Sequence, residues 1–305
     1  MSGRSPMDTG RWRKHYVKDR ILEEWMAGNE TDSNGKDVIK VISDIDDTIC
    51  CSGGQNFLWL PISGGIDQRF YHGVAYPGAY QFGLELARSC DSEYSPLRVS
   101  VATARPKELE PILGLNEDHR VAVGYRRCGE LNGLHDWGLG ERLYGCIIDW
   151  LFLPRTGHTK YENIINLSRQ VDPGVKFVFI GDTGQYDPVA GMRLLQDLPE
   201  RMRALFLHVV HTEEEVAEAR VRGRPIIYFR TYVGAAVKAW QHRLLCRKAM
   251  LNVCDAACRE FTELGLRFQS VQGQELLRDL KRCWMLLHEE RSKLTSMNGA
   301  TSVRR

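Results

Sequence analysis

Apolar residues in this chain fall in short runs that alternate with longer stretches of helical period. The run Val38-Ile39-Lys40-Val41-Ile42 has the length of a buried strand and predicts one over residues 38–43. Ala79–Arg88, with Tyr80, Leu84, Leu86 and Ala87 as its apolar positions, predicts a helix. The alternation continues with a strand at Leu97–Ala102, a helix near Glu108–Leu113 and a short strand at Val121-Ala122-Val123. It goes on with a helix at Lys160–Gln170, a strand at Lys176–Ile180, a helix at Val189–Leu195 and a strand at Ala204–Val210. This order predicts an α/β fold with a doubly wound parallel sheet and helices on both faces. Residues 50–77 interleave Gly53-Gly54, Gly64-Gly65 and Gly73 with Phe57, Trp59, Phe70 and Tyr71, and predict a small cap or hairpin excursion after the first strand. From Pro225 the pattern changes: Ile226–Tyr232 is strand-like, while Ala235–Leu264 and Glu275–Leu294 predict helices. The chain therefore divides into a basic, polar tail (1–36), an α/β domain (37–224) and a helical C-terminal extension (225–305), with disorder expected over Thr295–Arg305.

Composition narrows the class. Hydrophobic residues make up 43% of the 305 and charged residues 26%, which supports a sizeable core and excludes global disorder. A net charge of +2 gives no case for a nucleic-acid partner. No apolar run approaches a membrane span, and residues 1–20 lack the apolar segment of a secretory signal. Nine cysteines at irregular spacing fit reduced thiols better than disulfides or a metal knuckle, so a cytoplasmic protein is expected.

The chemistry is concentrated at predicted strand ends. The first strand runs directly into Asp44-Ile45-Asp46-Asp47-Thr48. Carboxylates crowded there repel one another and lose solvation, and a divalent cation is the simplest compensation. Thr103 ends the second strand, Lys160 opens a helix, and Gly181-Asp182 and Asp187 follow a later strand. A carboxylate can attack phosphorus, and a second acid two residues on can protonate the leaving oxygen and then activate water. A hydroxyl and an ammonium can hold the non-bridging oxygens, and further acids can anchor Mg²⁺.

These residues resemble the four motifs of the haloacid dehalogenase (HAD) superfamily. More narrowly, Ser43-Asp44-Ile45-Asp46-Asp47-Thr48-Ile49 and Phe179-Ile180-Gly181-Asp182-Thr183-Gly184-Gln185-Tyr186-Asp187-Pro188 resemble the catalytic domain of the actin-patch phosphatidate phosphatases, with lipins as more distant relatives. The resemblance implies a HAD-like, Rossmann-like sheet and Mg²⁺-dependent hydrolysis of phosphatidate to diacylglycerol at a membrane surface. It implies Asp44 as nucleophile and metal ligand, and Asp46 as general acid/base that ligates Mg²⁺ through its carbonyl. Thr103 and Lys160 would bind phosphate, and Asp182 and Asp187 would serve the metal. Asp47, Thr48 and Gly181 would support the loops. The second motif departs from the fungal pattern: Ala102-Thr103-Ala104-Arg105-Pro106 replaces a serine-rich segment followed by Pro-Trp, which bears on the substrate more than on the chemistry. A soluble phosphate ester, a phosphoprotein, and an idle binding module are the rival readings.

Several features keep two readings. Phe57, Trp59, Phe70 and Tyr71 suit either the private core of a hairpin or a lipid-facing cap. Arg243, Arg247 and Lys248 beside Trp240, Leu244 and Leu245 suit either a helix docked on the core or one lying on an anionic membrane. Arg11, Arg13, Lys14, Lys18 and Arg20 suit a solvated tail or a peripheral membrane patch. Arg105 is either a substrate contact or an exposed residue before Pro106.

Overall fold

The computed structural model describes residues 37–54, 66–89, 95–110, 114–146, 154–184, 186–210 and 216–302. Strands β1 (Ile39–Ser43), β2 (Val99–Pro106), β3 (Leu139–Gly145), β4 (Lys176–Asp182), β5 (Met202–His208), β6 (Ala219–Val221) and β7 (Arg224–Phe229) form one sheet in the order β3-β2-β1-β4-β5-β7-β6. Every pairing is parallel except the β6–β7 hairpin. The helices are α1 (Ala79–Arg88), α2 (Arg120–Leu131), α3 (Pro154–Gln170), α4 (Asp187–Asp197), α5 (Tyr232–Gln241), α6 (Arg247–Glu263) and α7 (Val271–Ser302).

The central strands read as continuous apolar runs because both of their faces are covered. Alternate β4 residues enter separate cores: Val178 and Ile180 pack with α1, α2, α5, α6 and α7, whereas Phe177 and Phe179 pack with α3 and α4. Each such fully buried side chain contributes roughly 1.5–3 kcal/mol of transfer free energy. The α/β, doubly wound expectation is met at this level. The chain goes from β1 to β2 on one side and returns to β4 on the other. The strand order therefore reverses between β1 and β4, and the crevice beyond their carboxyl ends is where ligands bind in such sheets.

Several boundaries differ from the sequence expectation. Val121-Ala122-Val123 lies in α2, whose buried residues Val121, Ala122, Tyr125, Cys128 and Gly129 follow helical spacing. β3 was not expected because it is polar; its Glu141 pairs with the buried Lys40 of β1 at 2.6 Å and accepts from Ser100 of β2. The division at residues 224 and 225 falls on β7, which pairs with β5 inside the sheet, so the helical extension starts only at α5. The β6–β7 turn carries Arg222 at φ 50° and Gly223 at φ 77°, the left-handed pair of a tight hairpin. α3 starts six residues before Lys160, and α7 continues to Ser302 through the region expected to be disordered. The tail 1–36, Phe57 and Trp59 lie outside the described residues.

The helix expected over Ala235–Leu264 is broken: residues 242–246 form the turn between α5 and α6, with Leu245 buried and Trp240 and Leu244 packed against the core, so this segment is docked on the core but is not one continuous helix. Among the described residues no helix is long and apolar enough to cross a membrane.

Candidate active site

The loop after β1 is closed by its own backbone. The Ile45 carbonyl accepts from the amides of Ile49 at 2.9 Å and Cys50 at 3.0 Å, and the Asp47 amide donates to the Cys50 carbonyl at 2.7 Å. Asp47 takes φ 60°, a left-handed conformation that aspartate tolerates better than most residues. The Asp44 amide donates to the Ile180 carbonyl at 2.8 Å, fixing the loop to β4.

Four of the expected residues converge here. The Lys160 ammonium donates to Asp44 Oδ1 at 2.8 Å and to Asp187 Oδ1 at 2.5 Å. Carboxylate oxygens of Asp44, Asp182 and Asp187 all lie within 4.8 Å of one another, and all three residues are buried. Asp44 directly follows the last residue of β1, β4 supplies Asp182, α3 supplies Lys160, and the first residue of α4 is Asp187. The Asp187 carboxylate also accepts from the Asp182 amide at 3.3 Å, and Asp182 Oδ1 accepts from the Gly184 amide at 2.5 Å. Gly181 is required sterically, because a Cβ there would sit 2.5 Å from Asp187 Oδ2.

Burial is the largest influence on these groups. It raises the Asp44 pKa to about 7 against the pull of Lys160, with Asp187 and Asp46 adding to the rise. Burial, then Asp187 and Asp44, raise Asp182 well above the carboxylate range. Burial alone would lower the Lys160 pKa, but Asp187 and Asp44 outweigh it and raise it. One ammonium against three carboxylates leaves two negative charges when all are ionised. Asp44 Oδ2 is buried with no hydrogen-bond partner among the described residues. An all-oxygen set with an open lone pair and a deficit of two charges fits a hard divalent cation such as Mg²⁺.

The other expected residues stand around this centre. β2 continues three residues past Thr103 to Pro106, so Thr103 lies within the strand and does not end it; it is buried, one strand from Asp44, and its Oγ1 accepts from the Arg105 amide at 3.2 Å. Asp46 is partly exposed, and its carboxylate meets Arg105 Nη2 at 3.1 Å; Arg105 also lies 3.3 Å from His119 Nε2. Arg105 therefore touches the acid expected to move protons, a partnership that the spacing of the chain does not reveal. Asp47 is no solvated turn residue. It is buried, and its carboxylate accepts from the amides of Ser52 at 2.9 Å, Ile66 at 2.6 Å and Asp67 at 3.1 Å, tying the excursion to the loop. Thr48 is buried too, its carbonyl accepting from Tyr232 Oη at 2.8 Å.

The Asp47 carbonyl accepts from His208 Nδ1 at 2.7 Å, which leaves His208 Nε2 to accept from Arg69 Nη2 at 2.9 Å. Arg69 is held in turn by Asp67 at 2.8 Å and by Glu275 of α7 at 3.3 Å. This supporting network was not read from the sequence, because its members are scattered from residue 47 to residue 275.

No family model, curated protein or solved structure matches the chain.

Proposed function

We propose that the chain is a Mg²⁺-dependent phosphatase of the haloacid dehalogenase type that hydrolyses a phosphomonoester through a phosphorylated Asp44. The observation that carries this reading is the meeting of Asp44, Asp182, Asp187 and Lys160 in one buried cluster at the sheet's switch point. A purely structural role would bury three carboxylates at a cost that one lysine does not offset.

Asp44, Asp182 and Asp187 would hold Mg²⁺, which when bound would neutralise charge on the phosphoryl oxygens. Asp44 then supplies the attacking oxygen, and Lys160, already directed at it, holds a non-bridging oxygen as charge shifts. Thr103 offers a second contact, through its hydroxyl, from the neighbouring strand. Asp46 stands at the mouth of the crevice, where it can give a proton to the leaving oxygen and later take one from water. Arg105 holds Asp46 in place and adds positive charge where the phosphate enters.

Phosphatidate, with diacylglycerol as product, is the substrate that the motifs on either side of the site favour. A panel of dispersed phosphatidate and water-soluble monoesters, assayed with and without Mg²⁺, tests the substrate. Equal turnover of all of them would remove the lipid preference, and no Mg²⁺-dependent turnover of any would remove the phosphatase reading.

A further inference from the structure

His119 is the N-cap of α2, and its ring accepts from the Val121 amide through Nδ1 at 3.2 Å. The other ring nitrogen, Nε2, lies 3.3 Å from Arg105 Nη1. Both neighbours are N–H donors. Burial first, then Arg105 and Arg120, lower the His119 pKa to about 4, so at neutral pH the ring is uncharged and carries one proton. Such an imidazole accepts at one nitrogen only. The Val121 amide belongs to the first turn of the helix and keeps Nδ1 bare, so the ring proton sits on Nε2 and faces the guanidinium. Two donors therefore oppose each other across 3.3 Å, and among the described residues no acceptor reaches either of them.

Arg105 turns Nε and Nη2 towards Asp46, at 3.4 Å and 3.1 Å, which leaves Nη1 directed away from that carboxylate. Of the charges that act most strongly on His119, Arg105, Arg120 and Arg142 are cations and Asp46 alone is an anion. From this arrangement we infer that Arg105 Nη1 and His119 Nε2 form a subsite for a second oxyanion, carried by the alcohol that the reaction releases. An oxygen at about 2.9 Å from each nitrogen takes both protons and turns an opposed contact into two hydrogen bonds, one of them charge-assisted. The excess of cations favours a charged oxygen over a carbonyl.

Asp46 fixes the side of the site on which this oxyanion lies. As the acid it hands its proton to the leaving oxygen, so groups beyond it face the alcohol and not the phosphoryl group. The span of one guanidinium and its hydrogen bonds sets the second oxyanion roughly 5–7 Å from the Asp46 carboxylate, a few bonds past the ester oxygen. Resting on the phosphatase reading, the subsite deepens it by naming the substrate class: a phosphomonoester whose alcohol bears its own carboxylate or phosphate. Diacylglycerol has uncharged acyl carbonyls instead, so the subsite ranks small anionic esters above phosphatidate.

The test is Mg²⁺-dependent phosphate release by the full chain from 3-phosphoglycerate, which has a carboxylate, propane-1,3-diol bisphosphate, which has a second phosphate, and glycerol 3-phosphate, which has neither. At least one charged ester is expected to exceed glycerol 3-phosphate in kcat/KM by about tenfold or more, and the better of the two identifies the oxyanion. His119→Asn keeps a side-chain cap on α2 but removes the Nε2 donor, and is expected to bring that ratio down to about threefold or less. His119→Ser, which also caps, repeats the measurement should the first variant not fold. A histidine with a merely structural role would lower both rates together and leave the ratio as it was. An unchanged ratio in the folded variant, a wild type that does not distinguish the esters, or turnover of phosphatidate alone would overturn the subsite. Should wild type release phosphate from no ester, the phosphatase reading falls, and calorimetric titration of the same three compounds decides the subsite. Tighter binding of a charged ester, lost in His119→Asn, then supports it, and equal affinities overturn it.

Discussion

The Lys160 ammonium sits 2.8 Å from Asp44 Oδ1, joining the middle of α3 to the end of β1 across the sheet's switch point. Its other bond, to Asp187, makes it the only cation directly bridging the acid cluster among the described residues. Lys160→Met is expected to destabilise the metal-free protein by about 3–5 kcal/mol, because it strands buried carboxylates. Saturating Mg²⁺ should return part of that loss. Urea unfolding of the variant and wild type, with and without Mg²⁺, measures both effects.

Binding of Mg²⁺ should release a proton near neutrality. Asp44 is raised to about 7 by its burial, so below that pH the cation competes with a proton for the carboxylate. Asp182, which burial also raises well above the carboxylate range, must ionise as well, so affinity should fall by at least about tenfold per pH unit below about 7. Calorimetric titrations at several pH values, in buffers of different ionisation heat, report the affinity and the proton count.

Gly181→Ala should be damaging out of proportion to one methyl group. Its Cβ would overlap the Asp187 carboxylate, which cannot move without releasing Lys160 and the Asp182 amide. The expected result is Mg²⁺ affinity reduced by at least about tenfold together with a loss of stability of about 1–3 kcal/mol.

Asp47→Ala should free the excursion without touching the acid cluster. Three backbone amides would lose their acceptor, at about 1–3 kcal/mol for each donor left buried. Limited proteolysis followed by mass spectrometry should locate faster cleavage within residues 52–76, and no change there would contradict the clamp.

His208 gives the protein an acid-sensitive joint. Burial first, then Arg69, hold its pKa down to about 3, and its neutral ring bridges the Asp47 carbonyl and Arg69. Its folded pKa lies below the unfolded value, so its contribution is complete above about pH 6.5 and is lost as pH falls towards 3. Stability should decline by about 1.4 kcal/mol per pH unit across that window from this group alone. His208→Asn should flatten the decline by one proton, as read from denaturation midpoints between about pH 6.5 and 4.5.

The parts of this molecule that were legible in the sequence are those whose signal is local. β1 and β4 are apolar on both faces, and their acids follow at once, so Asp44, Asp182 and Asp187 could be placed at strand ends from residue order alone. Lys160 was legible because its helix precedes β4. The strands β3 and β6 were not, since β3 satisfies its polar residues through Lys40 and Ser100, and β6 is three residues at the sheet's margin. The β-branched Val121 and Val123 suggested a strand until the wider spacing through Cys128 was satisfied as a helix. The Asp46–Arg105 pair and the Asp47 clamp depend on partners up to 59 residues away, and no run of neighbouring residues encodes them.

The most direct measurement is Mg²⁺-dependent phosphate release by wild type and Asp44→Asn, with circular dichroism confirming that both are folded. Wild type should release phosphate from at least one monoester only when Mg²⁺ is present, and Asp44→Asn should release none above background. Equal release by the two proteins would contradict Asp44 as the nucleophile and, with it, the account of the site.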